Sequence, residues 1–161
     1  MTATITRLNH AVLYVSDLDR SVDFYRRAFG FEEIAREGGM MAFLRASGGT
    51  NHHDLALASV GASAPRPPRG STGLYHLAWQ VAEIEDLAAM AQTLVELDAL
   101  TGMSDHGATK SLYGADPDGI EFEVMWMVPR EQWGEFDRRA VIRPLDLQRE
   151  VQRFGKAASA G

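Results

Sequence analysis

The sequence predicts an α+β fold, two βαβββ modules in tandem with a helical C-terminal extension. Three observations predict it. First, the chain repeats itself: Leu8-Asn9-His10-Ala11-Val12-Leu13-Tyr14-Val15-Ser16-Asp17-Leu18-Asp19 aligns without a gap to Leu74-Tyr75-His76-Leu77-Ala78-Trp79-Gln80-Val81-Ala82-Glu83-Ile84-Glu85, an offset of 66 from position 8 to position 74. Second, each copy reads as an alternating strand that runs into an acidic helix start, followed by a helix and three more short strands. Third, the proline-rich stretch Gly61 to Gly70 separates the two copies and favours an extended path.

In the first module, residues 8–15 alternate: His10, Val12 and Tyr14 share one face, and Ala11, Leu13 and Val15 the other. Ser16 or Asp17 can cap a helix whose body is Arg20 to Phe29 and whose stop is Gly30. Within it Val22, Tyr25 and Phe29 have the spacing to pack on a sheet. Three strands follow at 31–36, 40–45 and 54–58, with Gly-rich turns between them. The second module repeats the order with a strand at 74–81, a helix over about 84–97 and strands near 99–103, 109–115 and 120–127. The expected organisation is thus module one at 5–60, a linker at 61–73, module two at 74–127 and a helical extension at 128–161, interrupted at Pro144 and ending in a frayed tail from Gly155.

Composition narrows the function classes. With 161 residues the chain suits one domain or two small fused modules. A net charge of −6 with no basic run argues against a nucleic-acid partner. The absence of cysteine excludes disulfides, thiolate metal sites and a cysteine nucleophile. No apolar run is long enough to span a bilayer and the N-terminus lacks the features of a signal peptide, so no membrane association and a cytoplasmic location are expected.

The repeat places His10 and His76 at equivalent positions of equivalent strands. A third ligand is expected on the last strand of module two, Ile120-Glu121-Phe122-Glu123-Val124-Met125-Trp126. There Phe122, Val124 and Trp126 should face the helices, which leaves Glu121 and Glu123 on the side of the two histidines. Two carboxylates on an apolar strand are costly to bury without a cation. Two histidines and one carboxylate with open positions form the facial triad typical of non-haem Fe(II) oxygen chemistry. Trp79, Met125 and Met127 read as packing residues, and Glu83-Ile84-Glu85-Asp86 as a helix N-terminus with a favourable dipole.

These segments carry a resemblance. The opening Leu8-to-Tyr25 stretch and the turn Tyr113-x-x-Asp116-Pro117-Asp118-Gly119 leading to Glu123 are similar to the signature of the vicinal-oxygen-chelate superfamily, which includes glyoxalase I, bleomycin-resistance proteins and type I extradiol dioxygenases. The likeness covers about residues 5 to 127. It implies paired βαβββ modules that form a cupped mixed sheet around a metal held by His10, His76 and Glu123. Many relatives carry asparagine where this chain has Ile120.

The resemblance also implies a reaction. His52-His53-Asp54-Leu55-Ala56-Leu57 resembles the extradiol-dioxygenase segment that supplies an acid–base histidine, by that pattern His53. Strict alternation back from Ala56 would instead turn His52 and Asp54 inward, so the pleat and the resemblance favour different histidines. A glyoxalase-like site would take a fourth ligand from this strand, yet the inward position is Ala56, which cannot coordinate. Tyr113 stands ten residues before Glu123, as does the extradiol tyrosine that bonds a substrate oxygen. By the same likeness Asp105 and His106 lie on a loop bordering the pocket. Val12, on the His10 face, and Ala56 are expected to line it.

The expected activity is therefore a metal-dependent extradiol cleavage of a small aromatic diol of the catechol type with dioxygen. His53, Tyr113 and His106 are the expected catalytic residues, and Fe(II) the expected metal, with Mn(II) admissible. A glyoxalase-like metal-dependent lyase, isomerase or epimerase, or a non-catalytic drug-binding resistance protein, are the alternatives. Exposed sheet edges and the C-terminal extension make a homodimer the expected assembly.

Overall fold

The computed structural model describes residues 3–68 and 70–156, which divide into two units between Ser71 and Thr72. Met1, Thr2, Arg69 of the expected linker and residues 157–161 of the expected tail lie outside the described residues. The boundary falls within the proline-rich stretch. Among the described residues no helix is long and apolar enough to cross a membrane.

The first unit runs β1 (Ala11–Val15), α1 (Leu18–Phe29), β2 (Glu32–Glu37), β3 (Met41–Arg45) and β4 (Leu55–Ser59). The sheet order is β1-β4-β3-β2, with β1 parallel to β4 and the other pairs antiparallel. The Asp17 side chain caps α1 by accepting from the Arg20 N–H at 3.0 Å. Gly30, at φ 64°, ends the helix in the left-handed conformation that glycine adopts without steric cost. Leu13 and Val15 of β1 join Leu44, Leu55 and Leu57 in the core beneath Val22 and Tyr25 of α1. Their neighbours Val12 and Tyr14 are left on the opposite, exposed face.

The second unit repeats the plan with β5 (Leu77–Val81), α2 (Ile84–Glu96), β6 (Leu100–Asp105), β7 (Thr109–Ala115) and β8 (Glu121–Met127). Its sheet order is β5-β8-β7-β6, and β5 lies parallel to β8. Asp86 accepts from the Glu83 N–H at 3.2 Å to start α2, and Asp98 at φ 53° turns the chain from α2 into β6. Phe122, Val124 and Trp126 of β8 are buried and Glu121 and Glu123 lie on the other face, as the alternation requires.

Two differences from the sequence reading have physical causes. The first strand of each module begins later than residues 8 and 74, because a strand extends only as far as its ladder. Ala11 pairs with Leu55, the first residue of β4, and Leu77 with Phe122. His10 and His76 therefore each stand immediately before a ladder, still at equivalent positions. The extension after Val128 is also mostly not helical. It makes two 3-10 turns at 130–132 and 134–137, a two-residue strand β9 (Arg143–Pro144) and only then α3 (Leu147–Phe154), capped by Asp146. Pro144 lacks a donor and so is suited to an outermost strand. Here β9 pairs with Ser104 and Asp105 and covers the free edge of β6.

Gly114 on β7 pairs with Phe122 on β8, and a Cβ there would lie 2.4 Å from the Phe122 ring and 2.8 Å from the Ala99 carbonyl oxygen. Gly114→Ala should cost about 1–3 kcal/mol of stability, the usual penalty of overpacking. Gly48→Ala, with nothing within 4 Å, should be nearly neutral. Urea unfolding of the two variants checks this.

Candidate active site

The second unit gathers four polar side chains on the open face of its sheet. His76 precedes β5, and its Nε2 lies 3.0 Å from Glu123 Oε2 on β8. The histidine is 24% exposed and the glutamate 14%. Tyr113 pairs directly with Glu123 across the β7–β8 ladder, which puts the two side chains on one face. The Tyr113 and His76 rings are 6.0 Å apart.

The Tyr113 hydroxyl lies 2.7 Å from His106 Nε2, and His106 Nδ1 lies 2.8 Å from the Val141 carbonyl oxygen. A carbonyl only accepts, so Nδ1 carries the proton. In neutral His106 the Nε2 lone pair then accepts from Tyr113. The phenol proton is thereby committed to His106, leaving the oxygen lone pairs to accept from a ligand. Burial raises the Tyr113 pKa above its ordinary value, the Glu123 charge adds to the rise, and the Ser111 hydroxyl opposes it.

The first unit contributes a second cluster. His10 Nδ1 lies 2.9 Å from Asn9 Oδ1, and Asn9 in turn donates to Asn51 Oδ1 at 3.2 Å. Asn51 also accepts from Arg7 and donates to the Asn9 carbonyl and to Asp54. An amide oxygen can only accept, so His10 carries its proton on Nδ1 and presents Nε2 as a lone pair. The His53 ring sits 4.4 Å from the His10 ring and edge-on to Phe43. His52 is exposed and turns its Nδ1 to His53 Nδ1 at 3.1 Å. Residues 52 and 53 precede β4, where the pleat does not yet dictate direction. Asp54 turns to the Ala46 N–H at 2.8 Å. Burial lowers the His53 pKa below its ordinary value, and the neighbouring His10 and His52 charges reinforce the effect against the pull of Asp54.

Val12 and Ala56 are partners in the β1–β4 ladder, Val12 exposed and Ala56 buried. Asp105 is turned the other way. It pairs with Lys110, ion-pairs with its ammonium and accepts from the Gly107 N–H at 2.7 Å, on the helix side rather than beside Tyr113. At the turn before β8, Asp116 Oδ1 accepts from the Asp118 and Ile120 N–H groups at 2.9 Å each, so a carboxylate holds this turn in a chain that carries isoleucine at 120. Asn9, Asn51 and the Val141 carbonyl were not singled out by the sequence. Asn9 had a signal, its place beside a repeated histidine; a backbone carbonyl has none.

The residues suit a divalent cation. Two ligands with bonds of about 2.1 Å at right angles stand about 3 Å apart, the separation found between His76 Nε2 and Glu123 Oε2. Among the described residues His76 Nδ1 is buried without a hydrogen-bond partner, and without a cation the Glu123 carboxylate, which only accepts, holds the proton on Nε2. Within either unit, no three His, Asp or Glu side chains gather at one point among the described residues.

Comparison with known proteins decides the family. The sequence profile of the Glyoxalase/Bleomycin resistance protein/Dioxygenase superfamily matches residues 7–124. The chain belongs to this superfamily. It is 31% identical to a manganese-dependent 2,3-dihydroxybiphenyl 1,2-dioxygenase of Geobacillus genomosp. 3, over 81% of this chain and 39% of that protein. It is 32% identical to the metallothiol transferase FosB of Lysinibacillus sphaericus, over 74% of this chain and 82% of the transferase. A glyoxalase/bleomycin resistance protein/dioxygenase domain from Frankia sp. EAN1pec shares the fold, with a TM-score of 0.67 at 24% identity, covering 78% of this chain and all of that one. The chain spans less than half the length of three of the curated relatives it matches.

The Tyr113 environment predicts a titration in the metal-free protein. The tyrosinate absorbance lost in Tyr113→Phe should appear only above the ordinary value of about 10. Glu123→Gln removes a like charge and should move it down. Difference spectra between pH about 8 and 13 read both, and an unchanged midpoint in Glu123→Gln would contradict the assignment.

Proposed function

We propose that the protein is a divalent-metal-dependent extradiol dioxygenase that opens a catechol-type ring with dioxygen. The observation that carries the reading is the His76–Glu123 pair at 3.0 Å with Tyr113 in register beside it. In this reading His10, His76 and Glu123 hold the metal, Fe(II) in the first place and Mn(II) in the second. A complete ligand set then draws on both modules, as the duplicated histidine suggests. When bound, the ion supplies Lewis acidity toward two vicinal oxygens and a path for electrons to dioxygen.

The remaining roles belong to the chain. His53, its pKa lowered by burial, is neutral near pH 7, and its Nδ1 faces His52. Nε2 is the nitrogen that accepts a proton from one substrate hydroxyl and returns it as the ring opens. Tyr113, its own proton held by His106, accepts from a substrate O–H and orients the ring. Val12 and Ala56 give apolar contact beside His10, and the methyl of Ala56 leaves no fourth protein ligand at that position. Asp105, committed to Lys110, acts behind the sheet and shapes the turn that carries His106.

A second reading, a metal-dependent transferase, lyase or isomerase, is favoured by the similarity to the metallothiol transferase over most of that protein's length. The two separate on activity. Protein loaded with Fe(II) or Mn(II) without air should convert a catechol to a yellow ring-opened product when oxygen is admitted. His53→Gln should keep its metal and lose about 10²–10⁴-fold in turnover, the usual worth of a positioned acid–base group, and His52→Ala should be mild. If His52→Ala is the inactive variant, the acid–base assignment fails. If the loaded protein leaves a broad set of catechols untouched, the second reading replaces the first.

A further inference from the structure

A separate cavity of 250 Å³ lies in the second unit, bounded by the turn after β6, the segment around Phe136, β9 and α3. Its base is a buried charge cluster. Lys110, 3% exposed, ion-pairs with Asp105 and lies 3.5 Å from Glu150, itself 5% exposed. Glu150 Oε2, the oxygen facing Lys110, is buried and accepts no hydrogen bond among the described residues. Around this base stand Arg143, Arg149 and Arg153. Arg143 lies over the Phe136 ring at 5.4 Å and Arg153 over the Phe154 ring at 4.5 Å. These aromatic contacts hold the guanidinium planes without occupying their N–H donors. Among the described residues none of the three arginines is within ion-pair distance of a carboxylate.

The charge of this cavity opposes that of the chain. One lysine and three arginines against two carboxylates leave it at +2, in a protein of net charge −6. Surface arginines in an acidic protein ordinarily find carboxylates. Three that make no direct ion pair among the described residues, Arg143 acting on Asp105 only through its field, line one concavity and offer donors suited to a planar or tetrahedral oxyanion. The volume lies below the roughly 300–1,000 Å³ of sites for drug-sized ligands, so the occupant is small. The buried Glu150 Oε2 has the Lys110 ammonium at 3.5 Å but accepts no hydrogen bond among the described residues, so a donor at the occupant's other end would complete it.

We propose that this cavity binds a small oxyanion, a carboxylate or phosphate monoester bearing a hydroxyl group. Arg143, Arg149 and Arg153 hold the anion, and Glu150 accepts from the hydroxyl. The site is independent of the metal-dependent reaction and stands or falls apart from it.

Calorimetric titration of the full chain at constant ionic strength, set with chloride, tests the assignment with glycerol 3-phosphate, inorganic phosphate, lactate and glycerol. Glycerol 3-phosphate, lactate or both should bind saturably with one site per chain. Inorganic phosphate should bind at least severalfold more weakly than glycerol 3-phosphate, and glycerol should give no heat. The double variant Arg149→Gln/Arg153→Gln should weaken binding at least tenfold while its ligand-free unfolding midpoint stays near the parent's. Arg143→Gln gives a second, independent loss should the double variant fold poorly. Binding unchanged in these variants, or no saturable binding by either hydroxylated anion, overturns the proposal. Equal affinity for inorganic phosphate and glycerol 3-phosphate removes Glu150 from it.

Discussion

Each module inserts its first strand in parallel beside its last, β1 against β4 and β5 against β8, and the rest of the structure depends on that pairing. Parallel neighbours require a crossover, which α1 or α2 begins and the intervening strands complete. The helix covers one face of the sheet, so Leu13, Val15, Phe122 and Val124 are driven to that side by burial. Every second residue is then turned to the other face. Tyr113 and Glu123 acquire a common direction from the pleat and are fixed partners, and His76, just ahead of β5, reaches Glu123. The chemistry of the site is what the pleat leaves over once the core has been satisfied.

That coupling explains why so much was legible beforehand. Alternation in 11–15, 77–81 and 121–127 carries both the fold and the direction of its polar residues, because the same period-two pattern specifies both. The repeat carried the equivalence of His10 and His76, and it survives although both lie just outside their ladders. What could not be read is where direction is set by something other than the pleat. His52 and His53 precede β4, so only the three-dimensional path of the turn decides that His53 meets His10. Asp105 shares the helix-side face of its strands with Lys110, and that ion pair, not its nearness to His106, fixes where it points. The extension after Val128 has helical residues, but Pro129, Gly134 and Pro144 divide it into pieces too short to form one helix.

The extension has two physical consequences. Its strand β9 closes the edge of β6, an open row of donors and acceptors that would otherwise invite pairing with another chain. Its Val141 carbonyl fixes the His106 tautomer, and through it the direction of the Tyr113 proton. A segment lacking side-chain chemistry of its own at that point thus sets the hydrogen-bonding role of a residue on the far strand. Asn9 does the same for His10 in the first unit. In both clusters a histidine's Nδ1 is committed to an oxygen, which leaves Nε2 as the acceptor, taken up by Tyr113 in His106, whereas His76 Nδ1 has no hydrogen-bond partner among the described residues and its Nε2 is turned to Glu123.

The proposed function requires one metal ion bound through a histidine of each module, His10 and His76, and through Glu123. The most direct measurement is anaerobic titration of Fe(II) or Mn(II) into the parent protein and into His10→Ala and His76→Ala. The account predicts a single ion per chain in the parent and a loss in each single variant greater than the roughly 100-fold that removal of an outer hydrogen-bond partner costs. Far-ultraviolet circular dichroism should be unchanged, since the strands form without the metal. Parent-like affinity in His10→Ala would contradict it, because the ion would then belong to the second module alone.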